Sequence, residues 1–219
     1  GRFTLHALAT FPAWARLAAA FGLSDFLGWL HPFVRHKVPL LWHFHAVHHS
    51  QRELNQFTDL RYHVVDYVLS QPIVVFPFKF LAIDAPTVTL FVLAQIWYTR
   101  FYHSNVRTNL GWLRFLLVTP QSHRVHHSRD PRHFDTNFGV HTCLWDRLFG
   151  TQFHGANEYP ATGIDDPEFP LETKLHGMSL IATPMRQLVY PFVALWRIGM
   201  GRRSPGDQAD VVDFEQSSR

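Results

Sequence analysis

Apolar residues collect in a few long runs that are separated by short polar segments. Two of these runs, residues 64–82 and 85–102, each approach the ~20 residues that a helix needs to cross the hydrocarbon of a bilayer. The segment Ile83-Asp84-Ala85-Pro86 between them predicts a tight turn. The pattern therefore predicts a membrane hairpin over residues 64–102, and the alternative is a buried helical hairpin in a soluble core.

The flanking segments are less regular. We expect residues 1–24 to form an N-terminal apolar segment in the membrane or at its surface, and to be truncated because the chain does not begin with Met. Ser24 and Asp25 predict the N-cap of a new helix. Residues 152–200 predict a polar, Pro/Gly-rich connection followed by an amphipathic segment, and residues 201–219 predict a disordered polar tail.

Composition adds a metal-binding signal to this pattern. Histidine is abundant, with 16 of 219 residues, whereas charged residues make up 17%, below the ~25% of ordinary soluble domains. Cys143 is the single cysteine, which excludes an internal disulfide and a cysteine-rich zinc or iron–sulfur site. Lysine and arginine are scattered rather than clustered, so we expect no nucleic-acid partner.

One histidine spacing occurs twice, once on each side of the predicted hairpin. On a helix, positions i, i+3 and i+4 share one face, where neutral imidazoles can bind one metal ion or be divided between two. A polar helix face is the alternative, but the repetition favours metal ligands. The ligands predicted from this spacing are His45, His48 and His49, and again His123, His126 and His127.

Two further candidate ligands, His31 and His36, have a less regular spacing. Their side chains would lie ~140° apart on a straight helix. They can therefore share a site only if the helix is distorted, which Pro32 makes plausible, or else each faces a different ion. His63 and His103 flank the hairpin, and by themselves they would be hydrogen-bonded histidines at an interface.

These nitrogens are more numerous than one tetrahedral zinc can accept, and they suit two ions of higher coordination number. The sequence contains neither the Glu-x-x-His of carboxylate di-iron bundles nor the His-Glu-x-x-His of zinc proteases. An iron pair beside an apolar hairpin indicates O2-dependent attack on an unreactive C–H bond of a lipid. The alternative is a non-catalytic, His-rich membrane protein that binds or transports metal. A transporter would place ionisable groups along a path at mid-membrane, whereas these histidines lie at the ends of the apolar runs.

Several ordered motifs between residues 25 and 151 together resemble the fatty acid hydroxylase/sterol desaturase superfamily, which consists of membrane non-haem di-iron, histidine-box oxygenases. One such motif alone would be weak, but their order along more than half of the chain is specific. The motifs are His31-x4-His36, residues 41–50 (LWHFHAVHHS), Arg61-Tyr62-His63, His103-Ser104-Asn105-Val106, residues 119–128 (TPQSHRVHHS) and residues 145–151 (WDRLFGT).

The resemblance implies an all-α fold, an integral membrane helical bundle that crosses the membrane several times and presents its di-metal site to the cytoplasm. It implies two iron ions, for which zinc can substitute in a purified protein, with O2 as co-substrate and electrons from a reductase, cytochrome or ferredoxin. The implied reaction is hydroxylation or desaturation of a lipid, such as a fatty acid or sterol, by a catalytic domain at residues 25–151. The resemblance also implies that His63 and His103 are ligands, and that Asn137, Trp145 and Asp146 orient the ligands.

Overall fold

The computed structural model describes residues 10–171 and 179–202, and within these ranges the fold is all-helical, as predicted. Extended pairing in the described part is limited to two isolated bridges, Leu117 with Thr142 and Ser128 with Thr162. The helices are α1 (Ala13–Lys37), α2 (Pro39–His49), α3 (Val64–Phe80), α4 (Ala85–His103), α5 (Pro120–His126), α6 (Leu144–Leu148) and α7 (Ser179–Gly199). Most of the predicted tail, residues 203–219, lies outside the described residues, as do residues 1–9.

Helix α1 is continuous from Ala13 to Lys37, so the predicted helix start at Ser24 and Asp25 is wrong. The carboxylate of Asp25 accepts hydrogen bonds from Thr142 and from the Trp145 indole instead of capping a helix. The predicted break at Pro32 is also absent, because the helix runs through this residue. Tertiary contacts therefore override both local signals.

A sharp turn at Val38 joins α1 to α2. Val38 has extended backbone angles (φ −108°, ψ 107°), as expected for a residue that precedes proline, and Pro39 occupies the first turn of α2. At the other end of α2, the Arg61 guanidinium donates to the Val47 carbonyl and to the Ser50 hydroxyl. Both ends of this histidine-bearing helix are thus fixed.

The predicted hairpin forms as α3 and α4, each with a side-chain N-cap. His63 caps α3, and Asp84 caps α4 by accepting from the backbone N–H of Thr87. Arg16 of α1 donates to the carbonyls of Leu81 and Ala82 in the turn. The hairpin is therefore held against the first half of α1.

Among the described residues, α1 alone is long and apolar enough to cross a membrane by length and composition. Helix α3 has 17 residues, and α4 carries Gln95 near its middle and Arg100 in its last turn. Length and composition therefore do not support the prediction that the hairpin contributes two spans. Its outer surface is nevertheless apolar: Val68, Leu90 and Trp97 are each more than 60% exposed.

The core beside the second helix joins distant parts of the chain. Ala46 and Val47 of α2 pack with Ile164 and Phe169 of the polar connection and with Tyr190 and Ala194 of α7. The opposite face of α7 exposes Phe192 and Trp196. The core holds α2 between α1 and α7, and this arrangement positions its three histidines.

Candidate metal centre

Eight of the predicted ligands form two compact groups of four. Within each group, one nitrogen from every histidine lies within 4.8 Å of the others. We call the groups the outer group and the inner group, because three members of the outer one line a cavity of about 330 Å³. The outer group is His36, His45, His49 and His126, and the inner group is His48, His103, His123 and His127.

Each repeated motif is divided between the two groups. On α2, His45 and His49 are four residues apart and point in directions ~40° apart, so both join the outer group. His48 points ~100° away from His49 and joins the inner group. The second motif reverses this pattern, since His123 and His127 join the inner group and the residue between them joins the outer group. Each motif therefore supplies two ligands to one group and one to the other.

Short, capped elements hold the second motif in place. Helix α5 has seven residues, and its N-terminus carries a reciprocal capping box between Thr119 and Ser122 with Pro120 in the first turn. His127 follows the last helical residue, where its backbone (φ −85°, ψ 9°) is close to helical. The i, i+3, i+4 relation is thus preserved although the helix ends at His126.

The two remaining ligand candidates come from other helices. His36 lies near the end of α1, and its Nε2 is 3.1 Å from Nε2 of His49. His103 is the last residue of α4, and its Nε2 lies 2.8 Å from Nε2 of His123 and 3.3 Å from Nε2 of His48. The hairpin therefore returns His103 to the site.

Backbone carbonyls and carboxylates occupy the Nδ1 side of several of these rings. Nδ1 of His48 lies 3.2 Å from the Arg61 carbonyl, Nδ1 of His103 2.9 Å from the Thr99 carbonyl, and Nδ1 of His126 2.9 Å from the Thr136 carbonyl. A carbonyl only accepts hydrogen bonds, so each Nδ1 carries the proton and each Nε2 presents a lone pair. This is the usual arrangement behind metal-bound histidines.

The Nε2 lone pairs that face one another within a group would be stabilised by a cation between them. His48 and His103 both donate through Nδ1, so their Nε2 atoms, 3.3 Å apart, cannot share a proton in the neutral state. With metal–nitrogen bonds of ~2.0–2.1 Å, two ligands at right angles would have nitrogens ~3.0 Å apart. The observed Nε2–Nε2 distances of 2.8–3.3 Å fit this value. Both groups therefore suit a divalent or trivalent ion that prefers imidazole nitrogen.

Burial keeps these imidazoles neutral. It lowers the pKa of His45, His48, His49, His123 and His127 well below the usual 6.5, and neighbouring positive groups lower it further. The same causes lower the pKa of His126 to about 3, although its bond to the Thr136 carbonyl opposes them. Neutral imidazole is the form that binds metal, so the site does not have to be deprotonated at neutral pH.

Two carboxylates that sequence reasoning missed stand behind the outer group. Asp66 of α3 accepts from Nδ1 of His45 at 3.1 Å and pairs with Arg35 of α1 at 2.5 Å. Asp135 lies 3.4 Å from Nδ1 of His36 and also contacts Lys37. The spacing of metal ligands along the sequence does not identify either residue. Each carboxylate contacts a histidine on a distant part of the chain, Asp66 on α2 and Asp135 on α1.

Two predicted ligands lie outside both groups. Both ring nitrogens of His63 are engaged: Nδ1 accepts from the Val65 N–H, and Nε2 donates to the Leu188 carbonyl of α7 at 2.9 Å. His31 lies one and a half turns before His36 on the continuous helix, and its Nε2 is buried without a hydrogen-bond partner in the described part of the chain. The continuity of α1 explains why His31 and His36 do not meet.

The three predicted orienting residues lie outside both groups and contact none of their histidines through the hydrogen bonds described. Asp146 accepts from the backbone N–H groups of Phe138 and Gly139 and from the Trp29 indole, and burial raises its pKa. Asn137 donates to the Ser122 carbonyl of α5. The preceding residue, Thr136, provides the carbonyl that accepts from Nδ1 of His126. Trp145, as described above, bonds to Asp25 of α1. Asp146 thus connects the loop after α5 to α1, Trp145 connects α6 to α1, and Asn137 connects that loop to α5.

Comparison with known proteins places these features in a family context. The model of a family described as fatty acid hydroxylase matches residues 17–151. The chain is 30% identical to alkylglycerol monooxygenase from Homo sapiens over 177 residues, which are 78% of this chain and 38% of that protein. It is 32% identical over 124 residues to an ornithine lipid hydroxylase from Rhizobium tropici, covering 57% of this chain and 37% of the relative. It is also 28% identical over 127 residues to lathosterol oxidase from Rattus norvegicus, covering 58% and 40%.

The chain therefore spans less than half the length of these relatives. No solved structure matches it.

Proposed function

The chain belongs to the fatty acid hydroxylase family, and from that premise we propose that it is a membrane-bound di-iron oxidoreductase that uses O2 to hydroxylate or desaturate a C–H bond of a lipid. The observation that carries this proposal is the pair of buried four-histidine groups. Two iron ions are the proposed occupants, and zinc can replace them during purification. The named relatives, a monooxygenase, a hydroxylase and an oxidase, support lipid oxidation as the reaction class.

The balance of the reaction identifies the remaining reactants. Hydroxylation combines a C–H bond with O2, two electrons and two protons to give an alcohol and one water molecule. Desaturation removes two hydrogens from adjacent carbons and gives two water molecules from the same O2, electrons and protons. The iron pair, when bound, supplies the O2 activation and the one-electron chemistry. The electrons come from a separate protein, which we propose is a reductase, cytochrome or ferredoxin.

The protein contributes fixed ligands and a dry environment. The carbonyls of Arg61, Thr99 and Thr136 fix the tautomer and orientation of one histidine each, and Asp66 does the same for His45. The inner group is completely surrounded by protein, since its least buried member is only 7% exposed. Exclusion of water protects a reactive site from side reactions, which suits oxidation of unreactive C–H bonds.

We further propose that the protein is an integral membrane enzyme with the metal centre on the cytoplasmic side. Helix α1 supplies one candidate span, and its C-terminal end carries His36 to the site. The apolar outer surface of α3 and α4 suits burial in lipid, alone or against helices of a longer protein. Membrane residence and a cytoplasmic site would bring the lipid substrate and a cytoplasmic electron donor to the same centre.

Metal analysis combined with O2 uptake tests the proposal. The full chain, purified in detergent and reconstituted with iron, should contain two metal ions and consume O2 when NAD(P)H, a reductase and membrane lipid are supplied. His154, an exposed histidine outside both groups, provides the control variant His154→Ala, which should keep both properties. One exchangeable zinc per chain without reductase-dependent O2 uptake would instead indicate a metal-binding or transport protein.

A further inference from the structure

A buried histidine outside both metal groups, His133, joins two other side chains. Its ring is 1% exposed, and each of its nitrogens has a side-chain partner. Nδ1 lies 2.8 Å from the Ser128 hydroxyl, and Nε2 lies 3.1 Å from the Glu158 carboxylate. The three residues therefore form one hydrogen-bonded chain, which we call the Ser-His-Glu chain.

The two ends of the Ser-His-Glu chain lie in the walls of different cavities. Ser128 lines the cavity of about 330 Å³ that also has three outer ligands in its wall. His133 and Glu158 line a second cavity, of about 560 Å³. The Glu158 side chain is 36% exposed, so one end of the chain reaches solvent while the other end lies beside the metal ligands.

Short-range contacts hold His133 in this position. It is the last residue of a 3-10 turn, Pro131–His133, and its backbone N–H donates to the Asp130 carbonyl at 2.9 Å. The Thr136 hydroxyl donates to the His133 carbonyl, and the Phe153 ring packs against the imidazole with 4.6 Å between the ring centroids. The imidazole is therefore fixed in the orientation that both of its hydrogen bonds require.

The proposed reaction consumes two protons per turnover, whether it ends in hydroxylation or in desaturation. A lipid in the cavity beside the outer group displaces water from it, so a proton used at that stage has to come from the protein. A serine hydroxyl can pass on a proton only if an acid replaces it, and imidazolium is such an acid near neutral pH. Ser128 with His133 behind it provides this combination.

Protonation of His133 would leave the Ser128 proton available to the cavity. Both nitrogens of an imidazolium donate, in this case Nε2 to Glu158 and Nδ1 to Ser128. The Ser128 hydroxyl also accepts from the backbone N–H of Asp130 at 3.0 Å. A hydroxyl has two lone pairs and one proton, so both lone pairs are then occupied and the proton remains for a third partner. Because Ser128 lines the cavity, a molecule in the cavity can be that partner.

The charged groups around His133 form pairs that leave one carboxylate for it. The titratable and charged residues that line the second cavity with His133 are Arg129, Asp130, Arg132, Glu158, Tyr159 and Asp165. Arg129 pairs with Asp165, and Arg132 pairs with Asp130 at 2.6 Å. The Arg132 guanidinium is further from Glu158, at 3.8 Å, and its side chain is 68% exposed. Glu158 is therefore the carboxylate available to balance an imidazolium at His133.

We propose that the Ser-His-Glu chain is the proton donor for the reaction in the cavity. Protonated His133 passes its Nδ1 proton to the Ser128 oxygen, while Ser128 passes its own hydroxyl proton to the oxygen atom that leaves as water. His133 is then neutral, and its remaining proton on Nε2 is bonded to Glu158. After product release, water re-enters the cavity and returns a proton to Nδ1 through Ser128. The chain thus supplies one of the two protons of each turnover, and this inference rests on the proposed function.

Protonation of His133 can be measured without turnover. The full chain, loaded with zinc and labelled with 15N-histidine, gives ring signals whose shifts distinguish neutral from doubly protonated imidazole. The signals of His133 are those missing from the His133→Gln variant. We expect them to change to the doubly protonated form as the pH is lowered from 8 to 5. A His133 ring that stays neutral over this range would overturn the proposal.

The same variant tests the role of the chain in turnover, because glutamine retains hydrogen bonding but is not an acid. We expect His133→Gln to lower product formation about 100-fold, at the lower end of the ~10²–10⁴-fold typical of acid–base groups, while iron stays at two per chain. His63→Gln is the matched control, since His63 is also buried and bonded through both ring nitrogens, but to backbone groups. Equal product from the two variants would refute proton donation by His133.

Chemical rescue separates proton donation from a structural role. His133→Ala opens space beside the second cavity for added imidazole. We expect imidazole to restore product, with a restored rate that follows the protonated fraction of the added imidazole between pH 6 and 8. Restoration that does not depend on this fraction would show that the ring only fills space, and would overturn the proposal. Failure of the proposed function is distinguishable, because the unmodified chain would then form no oxidised lipid.

Discussion

The two groups each consist of four histidines, but their surroundings differ. The outer group borders the cavity, and Asp66 and Asp135 lie behind two of its histidines. The inner group is enclosed, and two of its histidines, His48 and His103, donate through Nδ1 to the carbonyls of Arg61 and Thr99. Carboxylates make an imidazole a stronger electron donor than carbonyls do, and the cavity makes the outer group accessible from outside. Under the proposed function, the outer position would face the substrate and the inner position would complete the metal pair.

Removing one ligand from either group should have the largest effect. His126→Ala should lower bound iron from two to about one per chain, and His48→Ala should do the same from the inner side. Because the chemistry needs both ions, each variant should lose at least about 100-fold in turnover, beyond the 10–100-fold typical of losing a residue that only orients a ligand. Iron analysis and product formation measure both effects. Activity retained in His126→Ala would refute the ligand assignment.

The carboxylate behind His45 provides a way to separate the two groups. Asp66→Asn should weaken iron binding at the outer group by about 10–100-fold and leave the inner group unchanged, since only the outer group contacts this residue. Anaerobic iron titration would then show one tight and one weakened site.

Asp59→Asn is the matched control, because Asp59 is also a largely buried carboxylate paired with an arginine, Arg100, but contacts neither group. Equal weakening of both sites by Asp66→Asn, or the same loss in the control, would contradict the assigned difference.

The metal-free protein should lose stability as the pH falls from 7 to 5. Burial depresses the pKa of the group histidines in the folded state, so below ~6.5 the unfolded chain binds protons that the folded chain does not. The stabilisation is therefore complete above ~6.5 and declines towards the folded pKa, which for His126 is about 3. Each such histidine contributes up to about 1.4 kcal/mol per pH unit. Thermal unfolding of the metal-free chain measures this loss, and a flat profile would contradict the buried neutral groups.

The smallest expected effect distinguishes a histidine that caps a helix from one that binds metal. His63→Ala should keep two iron ions per chain and reduce the free energy of unfolding by about 1 kcal/mol, because it removes the N-cap of α3. Asp84→Ala removes the corresponding cap of α4 and serves as the comparison. Loss of one iron in His63→Ala alone would show that this residue is a ligand after all.

The two repeated motifs allowed six of the eight grouped histidines to be predicted from the sequence. Residues four apart on a helix face the same way, so the clustering of His45 with His49 follows from spacing. The division of each motif between two groups depends on where α1 and α4 bring His36 and His103, and that is a tertiary property.

Other features were hidden for the same reason. Asp66 contacts His45 and Arg35 only because α3 packs against α2 and α1. Asp25 caps no helix, because it binds Thr142 and Trp145, which lie more than a hundred residues away along the chain. Local signals cannot anticipate such partners.

The two groups of four histidines should each hold one metal ion. The most direct test is to titrate the metal-free full chain with Fe(II) under anaerobic conditions and to measure iron per chain after dialysis. Two ions per chain are expected, with His126→Ala and His48→Ala each reduced to about one. A single ion in the unmodified chain, or two ions that survive both substitutions, would contradict the account.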